Sequence, residues 1–259
     1  MRPQSPSHVL VVVPARNEEP TIERSLQSLF AAATKLDQEL SVVVAADTCT
    51  DGTAKIARRV IGGRGTVIEG SFGSVGRARS GGVRAGLSHT NAPLHRTWIA
   101  STDADTFVPP DWFALQIMFA TQGYAAVAGV VQLERAELID ELVAERYAKT
   151  YTVFPDGTHP HVHAANLGLR ADAYRRTGGW RSLVRSEDRD LWDRLRTAGY
   201  RTLATAELVV VTSARRSGRV PGGFGECLRQ FVPGTQEEAA PHSTRKSSPE
   251  NRPRALVAT

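Results

Sequence analysis

The sequence predicts an α/β protein built on a doubly wound sheet flanked by helices. The first observation is alternation: within the first half of the chain, β-branched apolar runs give way to segments of helical apolar spacing four times. The second is that these runs are continuously apolar, as strands buried on both faces are. The third is composition. The 259 residues are 41% hydrophobic and 23% charged, close to globular averages and long enough for a substantial core.

Residues 9–13, VLVVV, form the first predicted strand, ended by Pro14. Pro20 suits a first helical turn, and Ile22, Leu26, Leu29, Phe30 and Ala33 recur on one helical face. Residues 40–46 repeat the strand signature, Thr50, Asp51 and Gly52 make a turn and cap, and Ile56 with Val60 marks a second helix. A short third strand is predicted at 66–68. Residues 74–87 carry Val75, Ala78, Val83 and Leu87 among small residues, which predicts a helix packed closely on the sheet; residues 98–101 are the fourth strand.

The second half is less regular. It predicts a helix over 109–120, a strand over 125–133, an amphipathic helix over 136–151, an extended segment over 161–170, a helix over 186–198 and a short last strand at 209–211. Beyond about Val232 the chain is Pro, Ser, Thr and charge, so residues 233–259 are expected to be a disordered tail and residues 1–232 a single domain. No internal repeat is visible.

Charge and cysteine content narrow the function. Thirty-two Lys and Arg against 27 Asp and Glu leave a formal charge of +5, too small to mark a nucleic-acid binder. The basic residues nonetheless cluster, which favours anionic small ligands. Cys49 and Cys227 make neither a disulfide framework nor a zinc signature, and no signal-like segment or membrane-spanning run is visible, so a cytoplasmic location is expected. The helix over 136–151 puts Leu138, Leu142 and Tyr147 on an apolar side. Core packing explains that side more simply than a weak peripheral membrane contact.

Four groups of residues could carry chemistry. Asp103 and Asp105 flank Ala104 just after the fourth strand, and in an extended segment their carboxylates would share a side at the strand's C-terminal edge. Such a pair, with no thiol nearby, suits Mg²⁺ or Mn²⁺ completed by water and phosphate; the plain alternative is that they cap the turn into the next helix. Ser186, Glu187 and Asp188 begin a helix, where Ser186 as N-cap and the macrodipole would account for all three, while Asp188 could instead accept a proton from a hydroxyl. Arg77 and Arg79 lie among glycines and could bind phosphate or form a solvated basic face. His159, His161 and His163 alternate, which could serve a metal but reads better as a polar pocket or strand surface.

The order of these groups is more specific than any one of them. PARNEE after the first strand, VVAADTCTDGT after the second, GRARSGG opening the third helix, STDADTFVPPDW after the fourth strand, AANLGLRADAYRRTGGW and SEDRDLWDRLRTAGYR together resemble the family 2 glycosyltransferases of GT-A fold, over about residues 8–213. The resemblance implies a mixed, mostly parallel sheet with a nucleotide-binding half over about 8–107 and an acceptor half over 108–232. It also implies transfer of a sugar from a nucleoside diphosphate sugar to a hydroxyl acceptor with a divalent metal, Mn²⁺ or Mg²⁺. Pro14, Ala15, Asn17 and Glu18 match the loop around base and ribose, and Asp47 matches the acid that contacts the base. Asp103, Ala104 and Asp105 match the DxD motif, with Asp105 on the metal and Asp103 on ribose or metal. Arg79 falls where a basic residue lies near the diphosphate. Asn166, and Gly179 with Trp180, match the acceptor and donor-sugar segment. Glu187 and Asp188 match the ED pair, with Asp188 as general base of an inverting displacement.

Two departures stand out: Thr48 replaces the second acid often found after the strand-two Asp, and Thr212 and Ser213 stand where related enzymes often supply a metal-binding His. Two rival functions fit less well. A sugar-phosphate nucleotidyltransferase would favour a Gly-rich basic loop after the first strand, and a non-catalytic nucleotide-sugar binding module would have no use for a base.

Overall fold

The computed structural model of the protein describes residues 5–134 and 138–214. In chain order its elements are β1 (His8–Ala15), α1 (Ile22–Ala32), β2 (Glu39–Asp47), α2 (Thr53–Ile61), β3 (Gly65–Gly70), α3 (Val75–Leu87), β4 (Thr97–Ser101) and β5 (Thr106–Phe107). They continue with α4 (Trp112–Thr121), β6 (Ala126–Leu133), α5 (Leu138–Ala148), β7 (Leu167–Arg170), α6 (Ala171–Arg176), α7 (Glu187–Thr197) and β8 (Thr202–Thr212). The strands form one sheet in the order β3-β2-β1-β4-β7-β6-β8-β5. β1 is parallel to β2 and β4, β2 to β3, and β6 to β8, whereas β7 runs antiparallel to both its neighbours and β5 antiparallel to β8. The sheet is therefore mixed but mostly parallel, as expected.

β1 shows why its sequence is apolar throughout. Val9, Val11 and Val13 point into one core with Ile22, Leu26 and Leu29 of α1, Ala57 of α2 and Trp112 of α4. Leu10 and Val12 point into a second core with Val83 of α3, Tyr174 of α6 and Leu191 and Leu195 of α7. Each such side chain, fully removed from water, contributes roughly 1.5–3 kcal/mol, so a strand flanked by helices on both sides needs apolar residues at every position.

Several expectations are corrected. The last strand is not residues 209–211 but the 11-residue β8, whose first half, TLATAE, is only partly buried and lacks an apolar run. It pairs with β6 across a register shift between Ala128 and Val130. The segment 161–170 is not extended throughout: a 3₁₀ turn at Ala164–Asn166 precedes β7. α4 begins at Trp112, after the turn that holds Pro109 and Pro110. β5 and α6 were not predicted, since two and six residues are too few to show a period. α5 turns Val143, Ala144 and Tyr147 into a small core with Leu133, Ala214 and Tyr151 while Leu142 is exposed, so Leu142 and Tyr147 do not share one outward apolar side. No helix among the described residues is long and apolar enough to cross a membrane. The tail 233–259, and the side chain of Leu138, lie outside the residues whose structure is described.

Candidate active site

The site is assembled at the carboxyl ends of β1, β2 and β4, where a doubly wound sheet opens. The loop after β1 is tied to the loop after β2. Asn17 Oδ1 accepts the N–H of Thr50 at 2.8 Å, the N–H of Glu18 donates to Thr53 Oγ1 at 2.7 Å, and the Cys49 thiol lies between the Asn17 N–H and the Ala15 carbonyl. Pro14 and Ala15 are the last two residues of β1, in register with Ala45 and Ala46. Asp47 closes β2. Its Oδ1 accepts the N–H of Phe72 at 2.7 Å and the hydroxyl of Thr48 at 3.1 Å, and its Oδ2 takes no part in these bonds.

The acids after β4 lie in a turn, not in an extended segment: the Thr106 N–H donates to the Asp103 carbonyl at 3.1 Å. These two acids therefore do not sit in the extended segment that was expected. Nor do they cap α4, whose N-cap position is Asp111. Asp105 instead meets the end of β8, where Thr212 Oγ1 lies 3.3 Å from Asp105 Oδ1 and the Ser213 N–H donates to the Asp105 carbonyl at 3.0 Å. The two residues found in place of a late His thus adjoin Asp105 directly.

Arg79 brings the two acid groups together. α3 can lie close enough because side chains are absent where it touches its neighbours: a Cβ on Gly76 would overlap the Arg181 carbonyl, and one on Gly82 would overlap Val12. From this helix the Arg79 guanidinium reaches Asp103 Oδ1 through Nη2 and Glu187 Oε1 through Nη1, each at 2.6 Å. Arg79 is only 2% exposed, and its Cζ lies 5.3 Å from the Trp180 ring centre. Burial opposes its charge, but Asp103 and Glu187 outweigh that and hold its pKa above the ordinary value. Burial likewise pushes the Glu187 carboxyl up, against the pull of Arg79. Arg77, in contrast, is exposed, so of the two arginines only Arg77 fits a solvated basic face.

N-capping does not explain the acids of α7. Ser186 occupies the N-cap position in a left-handed conformation (φ 58°) with no side-chain cap, Glu187 is paired to Arg79, and Asp188 Oδ2 accepts the Ala164 N–H at 3.1 Å. Among the described residues three non-glycine residues have positive φ, Asn17, Thr48 and Ser186, and all three border these acids or the β1–β2 loops. Such backbone costs of order 1–3 kcal/mol per residue and gathers at functional sites. Sequence could not reveal it, because residue type does not report φ, and in Thr48 a β-branched side chain makes it least expected.

Asn166 is fully buried: Nδ2 donates to the carbonyls of Val130 and Leu208, and Oδ1 accepts from Trp112 Nε1, so its amide ties β6, β8 and α4 together behind the site. Trp180 follows Gly179 (φ 61°), and its buried indole N–H has no hydrogen-bond partner, nor has the Thr102 hydroxyl beside Asp103. The three histidines surround Tyr151, which sequence did not single out, with the His161 and His163 rings parallel at 6.3 Å. Burial lowers all three imidazoles, His163 to about 4 despite the nearby Asp188 carboxylate. Among the described residues no group of three or more His, Cys, Asp or Glu has metal-binding geometry. An open cleft of about 630 Å³ between the end of α1 and the start of α4 is lined by Leu36, Phe113 and Ile117 and contains none of the site acids.

The architecture matches that of solved glycosyltransferases of GT-A fold. A Pyrobaculum calidifontis mannosyltransferase, solved with GDP-Man and Mn²⁺, superposes with a TM-score of 0.61 at 24% identity, over 83% of this chain and 59% of that one. TarS of S. aureus (residues 1–349), solved with UDP-GlcNAc, superposes with a TM-score of 0.61 at 15% identity, over 83% of this chain and 61% of that one. In sequence, the chain is 26% identical over 168 residues to an undecaprenyl-phosphate 4-deoxy-4-formamido-L-arabinose transferase of Aeromonas hydrophila, covering 65% of this chain. It is 25% identical over 129 residues to a protein of the same name from Edwardsiella ictaluri, covering 50% of this chain. The chain spans about half the length, or less, of these curated relatives: 49% and 38%. With the order of its motifs, its mostly parallel sheet and a match of residues 10–178 to the family model, the chain belongs to glycosyl transferase family 2.

Proposed function

We propose that the protein transfers a sugar from a nucleoside diphosphate sugar to an oxygen acceptor, by inverting displacement. The observation that carries this reading is the bridge through Arg79, which joins the acids after β4 to those opening α7 although they are more than 80 residues apart.

In this reading Asp47 Oδ2 and the stitched loops holding Pro14, Ala15, Asn17 and Glu18 receive the base and ribose. Two carboxylates with a hydroxyl close by are hard oxygen ligands and fit a magnesium- or manganese-like ion that keeps several water and phosphate ligands. Such an ion, when bound, would offset the charge that grows on the departing diphosphate. Asp103 and Asp105 would hold it, with Thr212 fixing Asp105. The unpartnered indole N–H of Trp180 is a donor suited to a sugar or phosphate oxygen, because buried donors in folded proteins nearly always find acceptors. Asn166 holds the wall behind the donor sugar. Asp188, its carboxylate oriented by the Ala164 N–H, accepts the acceptor's proton as the new glycosidic bond forms on the face opposite the leaving group.

The names of the curated relatives raise a second acceptor class, a polyprenyl phosphate. A phosphate monoester is largely ionised near neutral pH, with a second pKa of about 6, and has little need of a base. The two classes therefore differ in their demand on Asp188.

The test is release of nucleoside diphosphate from a panel of nucleotide sugars with Mn²⁺ present. Release that is lost in Asp103→Asn supports the reading. Pyrophosphate release from a sugar phosphate and a nucleoside triphosphate, with no donor cleavage, would replace it by nucleotidyl transfer. Tight donor binding without turnover across a broad acceptor panel would leave a binding module.

A further inference from the structure

We propose that Arg79 is a positioning residue that locks the donor-side acid Asp103 to the acceptor-side pair Glu187–Asp188, so that the two sides of the site keep their spacing as one unit. The inference deepens the transferase reading and rests on it for the terms donor and acceptor. The resemblance implies a basic residue near the diphosphate, but the geometry gives Arg79 a different task. Both terminal nitrogens are already bound to carboxylates at 2.6 Å, 24 and 108 residues away in sequence, and the group is 2% exposed. A phosphate-gripping arginine presents its terminal nitrogens to the ligand; here both are committed to carboxylates, and Nε is buried without a partner.

Three features fix the bridge. α3 is pressed onto its neighbours at Gly76 and Gly82, which sets where Arg79 starts. The Trp180 ring lies beside the guanidinium. Asp188 follows Glu187 in the first turn of α7 and is held from the other side by the Ala164 N–H. Any shift of Glu187 therefore shifts Asp188 against Asp103. A planar guanidinium can hold two carboxylates at a fixed mutual distance, whereas an ammonium is a point charge on a flexible stem and holds no such angle.

The experiment compares wild type, Arg79→Lys, Glu187→Gln and the double variant in two measurements: steady-state transfer with Mn²⁺, and calorimetric binding of the nucleoside diphosphate with Mn²⁺. Arg79→Lys keeps a cation in the site, and thermal unfolding checks that each variant folds. A misplacement on the ångström scale costs about 10²-fold in rate, so each single variant is expected to lower kcat by about 10- to 100-fold while donor KM moves by less than about 3-fold. The double variant is expected to be no slower than the slower single one. The binding arm adds Asp103→Asn: its effect and that of Glu187→Gln are expected to be non-additive with Arg79 present and additive with Arg79→Lys. A tenfold rise in donor KM at unchanged kcat for Arg79→Lys would make it a diphosphate contact and overturn the proposal. So would single effects that simply multiply, or additive binding effects with Arg79 in place. Absence of turnover in wild type would sink the transferase reading alone, and the binding arm would still decide the bridge.

Discussion

The backbone N–H of Ala164 donates to Asp188 Oδ2 at 3.1 Å, joining the segment that carries the three histidines to the first turn of α7. The bond orients the carboxylate while leaving it partly exposed, which suits the base role proposed for it.

Asp188→Asn keeps the size of the side chain and removes its basicity. With a hydroxyl acceptor, transfer is expected to fall by about 10²–10⁴-fold, the usual worth of a positioned general base, at little change in unfolding temperature. With a phosphate acceptor the loss should be far smaller. Turnover measured side by side on the two acceptor classes separates them, and unchanged rates on both would remove Asp188 from the mechanism.

His163 makes stability depend on pH. Unfolded, its imidazole takes up a proton near pH 6.5; folded, only near 4, because burial disfavours the cation. Between these values the unfolded state binds more protons, so this contribution is complete above pH 6.5 and is lost as pH falls toward 4. The difference corresponds to at most about 3 kcal/mol. Urea unfolding at pH 7 and pH 4.5 should show the loss in wild type and a flatter dependence in His163→Gln; parallel curves would contradict it.

Gly76→Ala is expected to destabilise the protein by about 1–3 kcal/mol, because the added methyl meets backbone, the Arg181 carbonyl, which cannot rotate away. Gly63→Ala, where a Cβ would meet nothing, should be neutral or slightly stabilising, by up to about 1 kcal/mol. Chemical denaturation of both variants checks the contrast, and equal costs would refute it.

Thr48 holds φ at 50° with a β-branched side chain. Asn adopts this conformation more easily, so Thr48→Asn should raise stability by about 1 kcal/mol. An unchanged midpoint of thermal unfolding would show that the surroundings already compensate.

How much of this was legible follows from which signals are local. β1, β2 and α1 could be read because their apolar spacing is dictated by burial on two faces or one. Of β8 only residues 209–211 could, since Thr202, Thr205 and Glu207 interrupt the first half and the strand is completed by its partner β6. The site residues were found as types at spacings, but the pairing of Arg79 with Glu187 spans 108 residues and no spacing rule reaches so far. The left-handed backbone at Thr48 and Ser186 and the gathering of the histidines around Tyr151 belong to the folded chain alone.

One further consequence comes from the antiparallel β7, which is hydrogen-bonded to β4 on one edge and to β6 on the other. Through it the strands carrying the first acid pair and those of the C-terminal half share a single ladder, so they cannot swing apart like jaws without tearing that ladder. Admission and release of ligands must then fall to the segments between strands, with the sheet itself serving as a fixed anvil.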